Sequence, residues 1–214
     1  ALYEVTMKKE HIRLVDAIFQ KYDICYHMFT GIGTITSDEK RCVKAFLEHL
    51  QQQGLDEGVA MKMKDESGFC RYAREVKDIS AFLSEEIPVY KMEAFGGLLQ
   101  NLEKARSELQ ACQALHVTNS IEDNIEVTQK TAQKGIALAA FCKEKGIAKE
   151  DVLVIGDSLN DLSMIEEFPN SIAMKNGHSY IQKAAAYISR YTNEEDGVAD
   201  ILEQLLETLS IQEK

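Results

Sequence analysis

The sequence lacks any apolar run near the roughly 18 residues needed to cross a bilayer. It also lacks a signal-peptide pattern at its start as given. It contains no C-x-x-C pair, and its cysteines are odd in number and scattered, which argues against a disulfide framework or a zinc site: Cys25, Cys42, Cys70, Cys112 and Cys142. These absences predict a cytoplasmic protein with no membrane partner, in which most cysteines pack as small apolar side chains in a reducing compartment.

The sequence also has no excess of basic over acidic residues. Lys and Arg together number 24 against 35 Asp and Glu, which gives a net charge of -11. Nucleic-acid binding normally requires a basic patch, so the charge argues against a nucleic-acid partner. It does not argue against a small phosphorylated substrate, because the local field at a site can oppose the global charge. The length of 214 residues suffices for one or two domains with their own cores, and no feature of the sequence decides the oligomeric state.

The most informative stretch runs from Asp151 to Met164 and reads DVLVIGDSLNDLSM. Its apolar run at residues 152–155 predicts a strand buried on both faces of a parallel sheet. Asp157 follows Gly156 at the carboxyl end of that strand, where ligands bind in open α/β sheets. Asp161 lies one helical turn further on the same side. Two carboxylates placed this way suit a hard cation such as Mg²⁺. The alternative interpretation makes Asp157 a helix N-cap and Asp161 a solvated helix residue.

A Lys-Gly pair upstream of this stretch opens a helical pattern. Lys134 and Gly135 precede Ile136, Ala139 and Ala140, which fall on one helical face. A lysine at the start of a helix opposes the helix dipole. The placement therefore predicts that its ammonium group faces an anion.

With these motifs, the segment from about Asn124 to Leu206 resembles the C-terminal half of a haloacid dehalogenase (HAD) superfamily phosphatase of the Cof-type subgroup. The matching pieces follow in family order and spacing over roughly 80 residues: Glu126-Val-Thr128, Lys134-Gly135 with Ala137-Leu138, residues 156–161, Met164, residues 173–176 and residues 194–199. The resemblance implies that Lys134 neutralises the phosphoryl group and the nucleophile, and that Asp157 is a Mg²⁺ ligand. It further implies that Asn160 contacts the phosphate or substrate and that Asp161 holds the lysine or supports the metal shell.

The implied function is that of a Mg²⁺-dependent phosphatase acting through an aspartyl-phosphate intermediate. Its substrate would be a small phosphorylated metabolite, such as a sugar phosphate or a phosphorylated cofactor. The placement of Lys134 and of the expected Mg²⁺ agrees with this function. Phosphoryl transfer depends on cations positioned around the negative charge that spreads over the phosphoryl oxygens in the transition state. The alternative is a non-catalytic HAD-like binding or regulatory module that keeps the shape of the site.

The family's nucleophile comes from a D-x-D-G-T motif after the first core strand, and this sequence contains no such motif. Asp16 lies in a helical pattern, Asp23 precedes Ile-Cys-Tyr, and Gly33-Thr34 has no Asp before it. The sequence begins with Ala1, which is also consistent with an expression scar. The expectation is a fragment or processed chain that lacks the nucleophile and is inactive alone.

The first part of the sequence predicts an antiparallel sheet with helices, an α+β pattern. Lys8–Tyr22 is predicted to be a helix, while Gly58–Lys64 is predicted to be a half-buried strand on the alternation of Val59, Met61 and Met63. By order and length this part resembles the cap of the same phosphatases. The predicted organisation is a cap at residues 2–116 and a partial core at 117–214. The fold class is α/β, with a partial Rossmann-like HAD core and an α+β cap domain.

Overall fold

A computed structural model describes residues 3–52, 54–66, 70–96, 98–119 and 123–212. The chain divides into two compact units, the first spanning Glu4–Ala132 and the second beginning at Gln133.

The first unit is built on a six-stranded sheet with five helices in the described ranges. In chain order its elements are α1 (Lys9–Lys21), β1 (Tyr26–Thr30), β2 (Gly33–Thr36), α2 (Glu39–Gln52), α3 (Glu57–Glu66), β3 (Arg74–Glu75), α4 (Ile79–Ser84), β4 (Val89–Phe95), α5 (Leu99–Gln110), β5 (Leu115–Thr118) and β6 (Asn124–Gln129). The strand order is β3-β2-β1-β4-β6-β5. All neighbours pair antiparallel except β2 and β3, as the α+β pattern predicts.

The domain boundary predicted at residue 117 differs from the one observed. Strand β6 is hydrogen-bonded to β4 on one side and to β5 on the other. The segment that carries Glu126 and Thr128 therefore completes the first sheet instead of beginning the second unit. Local periodicity gave no sign of this, because it indicates that a segment is a strand but not which strands it pairs with.

One face of this sheet packs on helices. Strand residues alternate between the two faces, so Tyr26 and Met28 of β1 enter the same core as Val15 and Phe19 of α1. These four side chains are at most 2% exposed. The predicted helix at Lys8–Tyr22 thus corresponds to α1 and buries its apolar face.

The predicted strand at Gly58–Lys64 is wrong, because these residues lie in α3. Val59, Met61 and Met63 are each more than 40% exposed, whereas Ala60 between them is fully buried. Alanine, methionine and lysine are good helix formers, and the Asp56 carboxylate accepts a hydrogen bond from the Gly58 N–H at 2.8 Å near the helix start. The alternation of apolar residues therefore did not mark an inward face.

The second unit alternates strands and helices. Its elements are α6 (Lys134–Lys145), β7 (Leu153–Gly156), α7 (Leu162–Glu167), β8 (Asn170–Ala173), α8 (Ser179–Ala184), β9 (Tyr187–Ile188) and α9 (Gly197–Gln212). The strands form a parallel sheet in the order β7-β8-β9. Its core contains Cys142, Val154, Ile165, Phe168, Ala173 and Ile181. The predicted parallel strand therefore corresponds to β7, but it is not buried on both faces as expected, since Val154 and Gly156 are buried while Leu153 and Ile155 are half-buried.

Helix α9 leaves much of its apolar face exposed. Ile201 is buried, but Val198, Leu202 and Leu205 are each 40% or more exposed. A cavity of about 690 Å³ is lined by residues of α9 and of all three strands. Close packing of α9 against the sheet, which would bury these residues, is thus incomplete. No helix in the described ranges is long and apolar enough to cross a membrane.

Candidate active site

The carboxyl end of β7 turns sharply at Gly156. A Cβ added to this glycine would lie 2.7 Å from the Cβ of Asp161, so a side chain here would collide with the turn that follows. Asp157 comes next and exposes its carboxylate, while its backbone carbonyl accepts a hydrogen bond from the His178 N–H at 2.7 Å. The strand end therefore presents the Asp157 side chain from an anchored backbone.

The turn after Asp157 is a reciprocal capping arrangement between Ser158 and Asp161. The Asp161 Oδ2 atom accepts hydrogen bonds from the backbone N–H groups of Asp157 at 3.0 Å and of Ser158 at 3.2 Å. The Ser158 hydroxyl donates to Asp157 Oδ1 at 3.0 Å. Asp161 is only 6% exposed, so it is neither a solvated helix residue nor free to reorient.

The other oxygen of Asp161 pairs with Lys134, the first residue of α6. The Lys134 ammonium forms an ion pair with Asp161 Oδ1 and also donates to Asn160 Oδ1 at 3.3 Å. The start of α6 is held against α7, since the Gly135 N–H donates to the Ser163 hydroxyl at 3.0 Å. A Cβ on Gly135 would lie 2.1 Å from the Ser163 carbonyl oxygen. The close approach of these helices brings the lysine to the end of β7.

Burial by itself would raise the pKa of Asp161, but its partners reverse the direction. The hydrogen bond from Lys134 and those from the Asp157 and Ser158 N–H groups hold the pKa of this carboxyl below its ordinary value. Asp161 is therefore a carboxylate at neutral pH, with both oxygens already accepting hydrogen bonds.

The four residues predicted from the sequence thus lie together in the second unit. Asp157, Asn160 and Asp161 surround the end of β7, and the Lys134 ammonium contacts two of them. The observed contacts of Asp161 are those of a residue that holds the lysine, since its Oδ1 atom pairs with Lys134 and its Oδ2 atom accepts two backbone hydrogen bonds.

A metal site built from protein side chains alone is not present in the described ranges, which contain no group of three or more His, Cys, Asp or Glu able to hold an ion. Mg²⁺ does not require one, because it is often held by one or two carboxylates, several waters and a substrate phosphate. The exposed carboxylate of Asp157 fits such a ligand set as its protein contribution.

Two features of the site were missed from the sequence. Gly177 lies against Asp157, where an added Cβ would be 3.2 Å from the Asp157 Cα, and the Asn-Gly pair at residues 176–177 is a turn signal that could have indicated a loop here. Ser158 orders the turn through its capping bonds, and the Ser-x-x-Asp spacing could have indicated that role.

A comparison with known proteins shows the family to which this chain belongs. A model of the haloacid dehalogenase-like hydrolase family matches residues 1–202. The chain belongs to this family. It is 35% identical over 118 residues to the 5-amino-6-(5-phospho-D-ribitylamino)uracil phosphatase YwtE of Bacillus subtilis, a match covering 55% of this chain and 41% of that protein. It is 34% identical over 122 residues to the phosphatase YwpJ of the same organism, covering 57% and 42%. The matched part of the chain spans about two fifths of the length of these curated relatives.

Solved structures of family members share the fold. A haloacid dehalogenase-like hydrolase from B. subtilis superimposes with a TM-score of 0.81 at 24% identity, covering 95% of this chain and 73% of that one. A family member from Bacteroides thetaiotaomicron gives a TM-score of 0.68 at 25% identity, covering 95% and 69%. The expected α/β class with a Rossmann-like core and a cap is confirmed.

Proposed function

We propose that this sequence forms part of a Mg²⁺-dependent phosphatase that hydrolyses a small phosphorylated metabolite through an aspartyl-phosphate intermediate. The observation that carries the proposal is the Lys134–Asp161 ion pair beside the exposed carboxylate of Asp157 at the end of β7. Membership of a hydrolase family supports it, as do the names of the two phosphatase relatives.

Within this arrangement Lys134 provides positive charge for the phosphoryl group. Its side chain is about half exposed while that of Asp161 is nearly buried, so the carboxylate holds the ammonium group in place without covering it. A transferring phosphoryl group spreads negative charge over its oxygens, and a fixed cation stabilises that charge in the transition state. The ordering of the lysine before substrate arrives avoids reorganisation during the reaction.

Asp157 would hold Mg²⁺, and Asn160 would contact the phosphate or the substrate. When bound, Mg²⁺ neutralises and orients phosphate oxygens. The Ser158 hydroxyl donates to one oxygen of Asp157 and thereby fixes the direction in which this carboxylate points.

The nucleophile is proposed to come from outside these 214 residues. A covalent phosphoryl intermediate needs a carboxylate aligned with phosphorus. Asp161 has both oxygens occupied, and Asp157 is assigned to the cation. We therefore expect the 214-residue chain alone to hydrolyse phosphate esters no faster than background.

Sugar phosphates and phosphorylated cofactors are the substrate classes we propose. The first compound to test is 5-amino-6-(5-phospho-D-ribitylamino)uracil, because two similar proteins of B. subtilis are named as its phosphatases. Sugar phosphates form the second set, since a HAD subclass IIB sugar phosphatase shares the fold with a TM-score of 0.69.

The test uses the product of the whole gene in an assay of phosphate release with this panel. We expect turnover with Mg²⁺ that EDTA removes, and loss of about a hundredfold in kcat for Lys134→Ala, the scale for removing one preorganised stabilising group. Lys149→Ala is the matched control, because Lys149 pairs with Glu167 in the same unit away from Asp157. Substrate binding without turnover by the whole gene product would favour the non-catalytic module instead.

A further inference from the structure

Two exposed aromatic rings stack on each other in the segment that follows β8. The His178 imidazole and the Tyr180 phenol ring have centroids 5.6 Å apart and planes only 14° apart, which is the arrangement of an offset stack. Tyr180 is 65% exposed, and His178 is exposed as well. Within the described ranges no second aromatic ring stacks on the imidazole. One face of the imidazole is therefore available to a ligand.

This pair of rings stands beside the candidate active site. The His178 N–H donates a hydrogen bond to the Asp157 carbonyl at 2.7 Å. The parallel pairing of Gly156 with Ala173 continues in a hydrogen bond from the Met174 N–H to the Gly156 carbonyl at 3.0 Å. The carboxyl ends of β7 and β8 are therefore level. His178 follows β8 at the same edge of the sheet at which Asp157 follows β7, and ligands bind at this edge in open α/β sheets.

The loop that carries His178 is fixed by hydrogen bonds. The side-chain amide of Gln182 donates to the carbonyls of Met174 at 3.3 Å and of Lys175 at 2.7 Å, which ties α8 to the end of β8. The Gly177 N–H donates to the Met174 carbonyl at 2.8 Å. A side chain on a fixed backbone loses less conformational freedom when a ligand binds, so the imidazole is preorganised for binding.

The imidazole ring is itself oriented. Its Nδ1 atom accepts a hydrogen bond from the Tyr180 N–H at 3.2 Å, and a neutral imidazole that accepts at Nδ1 carries its proton on Nε2. The Tyr180 ring backs one face, so the other face and the Nε2–H group of His178 can bind a ligand. A planar heterocycle suits both, because its ring stacks on aromatic side chains and a carbonyl oxygen on its rim accepts a hydrogen bond.

We propose that His178, backed by Tyr180, determines specificity by stacking on a planar heterocycle of the substrate. The substrate class is then a phosphate ester whose leaving group carries an aromatic ring such as a pyrimidine, in preference to a plain sugar phosphate. Because the His178 backbone is bonded to Asp157, the imidazole is within reach of the leaving group of an ester whose phosphate binds at Asp157 and Lys134. A plain polyol has no ring face and loses this contact. The inference rests on the proposed phosphatase function.

The experiment compares two substrates that share a phosphorylated ribityl chain and differ in the ring. The compound 5-amino-6-(5-phospho-D-ribitylamino)uracil carries a pyrimidine ring on this chain, whereas ribitol 5-phosphate carries none. The product of the whole gene is assayed with each compound in the presence of Mg²⁺. We expect a KM about tenfold lower for the uracil compound, which is the scale on which one stacked base contributes to binding.

Three variants separate the ring from the fold. His178→Ser removes the ring but keeps a side-chain oxygen that can accept from the Tyr180 N–H, since serine is favoured directly before a helix. It should raise the KM for the uracil compound about tenfold and leave kcat and the KM for ribitol 5-phosphate unchanged. His178→Phe supplies a planar ring again and should restore most of the preference. Tyr187→Ala is the matched control, because Tyr187 is 66% exposed on β9, and it should keep the wild-type preference.

The proposal is overturned if His178→Ser keeps the wild-type ratio of the two KM values or changes both values equally. Phosphate release from neither compound would instead contradict the proposed function, so binding is measured separately. Calorimetric titration of the whole gene product with the dephosphorylated compound 5-amino-6-(D-ribitylamino)uracil should give a Kd about tenfold higher for His178→Ser than for the wild type or Tyr187→Ala. An equal Kd for the wild type and His178→Ser, or no binding to the wild type, would overturn the proposal even without turnover.

Discussion

Lys134 and Asp161 form an ion pair in which one partner is about half exposed and the other nearly buried, with side-chain exposures of 53% and 8%. The buried partner also accepts two backbone hydrogen bonds through its second oxygen. Asp161 is thus the residue around which the candidate site is ordered, while Lys134 presents charge to the outside.

The first prediction follows from this asymmetry. Asp161→Ala should lower the free energy of unfolding by about 1–3 kcal/mol, because the N–H groups of Asp157 and Ser158 lose their acceptor inside the turn. Urea denaturation of the chain measures this change. Glu166→Ala is the control, since Glu166 is exposed on α7 and should change stability by less than about 0.5 kcal/mol. Equal stability of the two variants would contradict the central position of Asp161.

A second prediction concerns pH and the first unit. Glu93 of β4 is 6% exposed, with Lys91 Nζ at 2.7 Å and His27 Nε2 at 3.6 Å from its carboxylate. Burial acts to raise the pKa of Glu93, but His27 and Lys91 hold it at about 2. The folded pKa lies below the unfolded value of about 4.3. The stability contributed by Glu93 is therefore complete above that value and is lost as pH falls toward 2.

Glu93→Gln tests this linkage. The variant should be less stable than the wild type at neutral pH by about 1–3 kcal/mol, since a buried charged acceptor is lost. The difference should shrink as pH falls to about 3, because protonation then removes the same contribution from the wild type. Glu103→Gln, at an exposed position of α5, supplies the control. A difference that stayed constant from neutral pH to about pH 3 would show that Glu93 does not titrate as described.

The sequence predicted the clustering of Lys134, Asp157, Asn160 and Asp161 because three of them follow one buried strand and the fourth begins a helix. These signals are local and depend on a Gly-Asp turn and a Lys-Gly helix start. The domain boundary could not be read in this way, since it depends on the pairing of β6 with β4 and β5, and local periodicity does not show which strands a segment pairs with.

A third prediction tests Asp157 in the whole gene product. Asp157→Asn keeps the shape of the side chain but removes the charge that would hold Mg²⁺, so phosphatase activity should fall by about a hundredfold, the scale of losing one preorganised electrostatic group. Raising the Mg²⁺ concentration should restore part of the activity. Asp151→Asn is the matched control, because Asp151 precedes β7 at the opposite end of the strand. Near wild-type activity of the Asp157→Asn variant would contradict the assignment of Asp157 as a Mg²⁺ ligand.

The last prediction concerns the 214-residue chain by itself and the edge of its smaller sheet. Within the described ranges β7 is hydrogen-bonded to β8 alone, whereas β4 of the first unit is paired on both sides. A strand with one unpaired edge opens more readily and invites association with other chains. Hydrogen exchange should therefore show weaker protection for the amides of Leu153–Gly156 than for those of Val89–Phe95. Stronger protection of β7 in a chain shown to be monomeric by sedimentation would contradict this expectation, because the second unit would then be stable without a further strand beside β7.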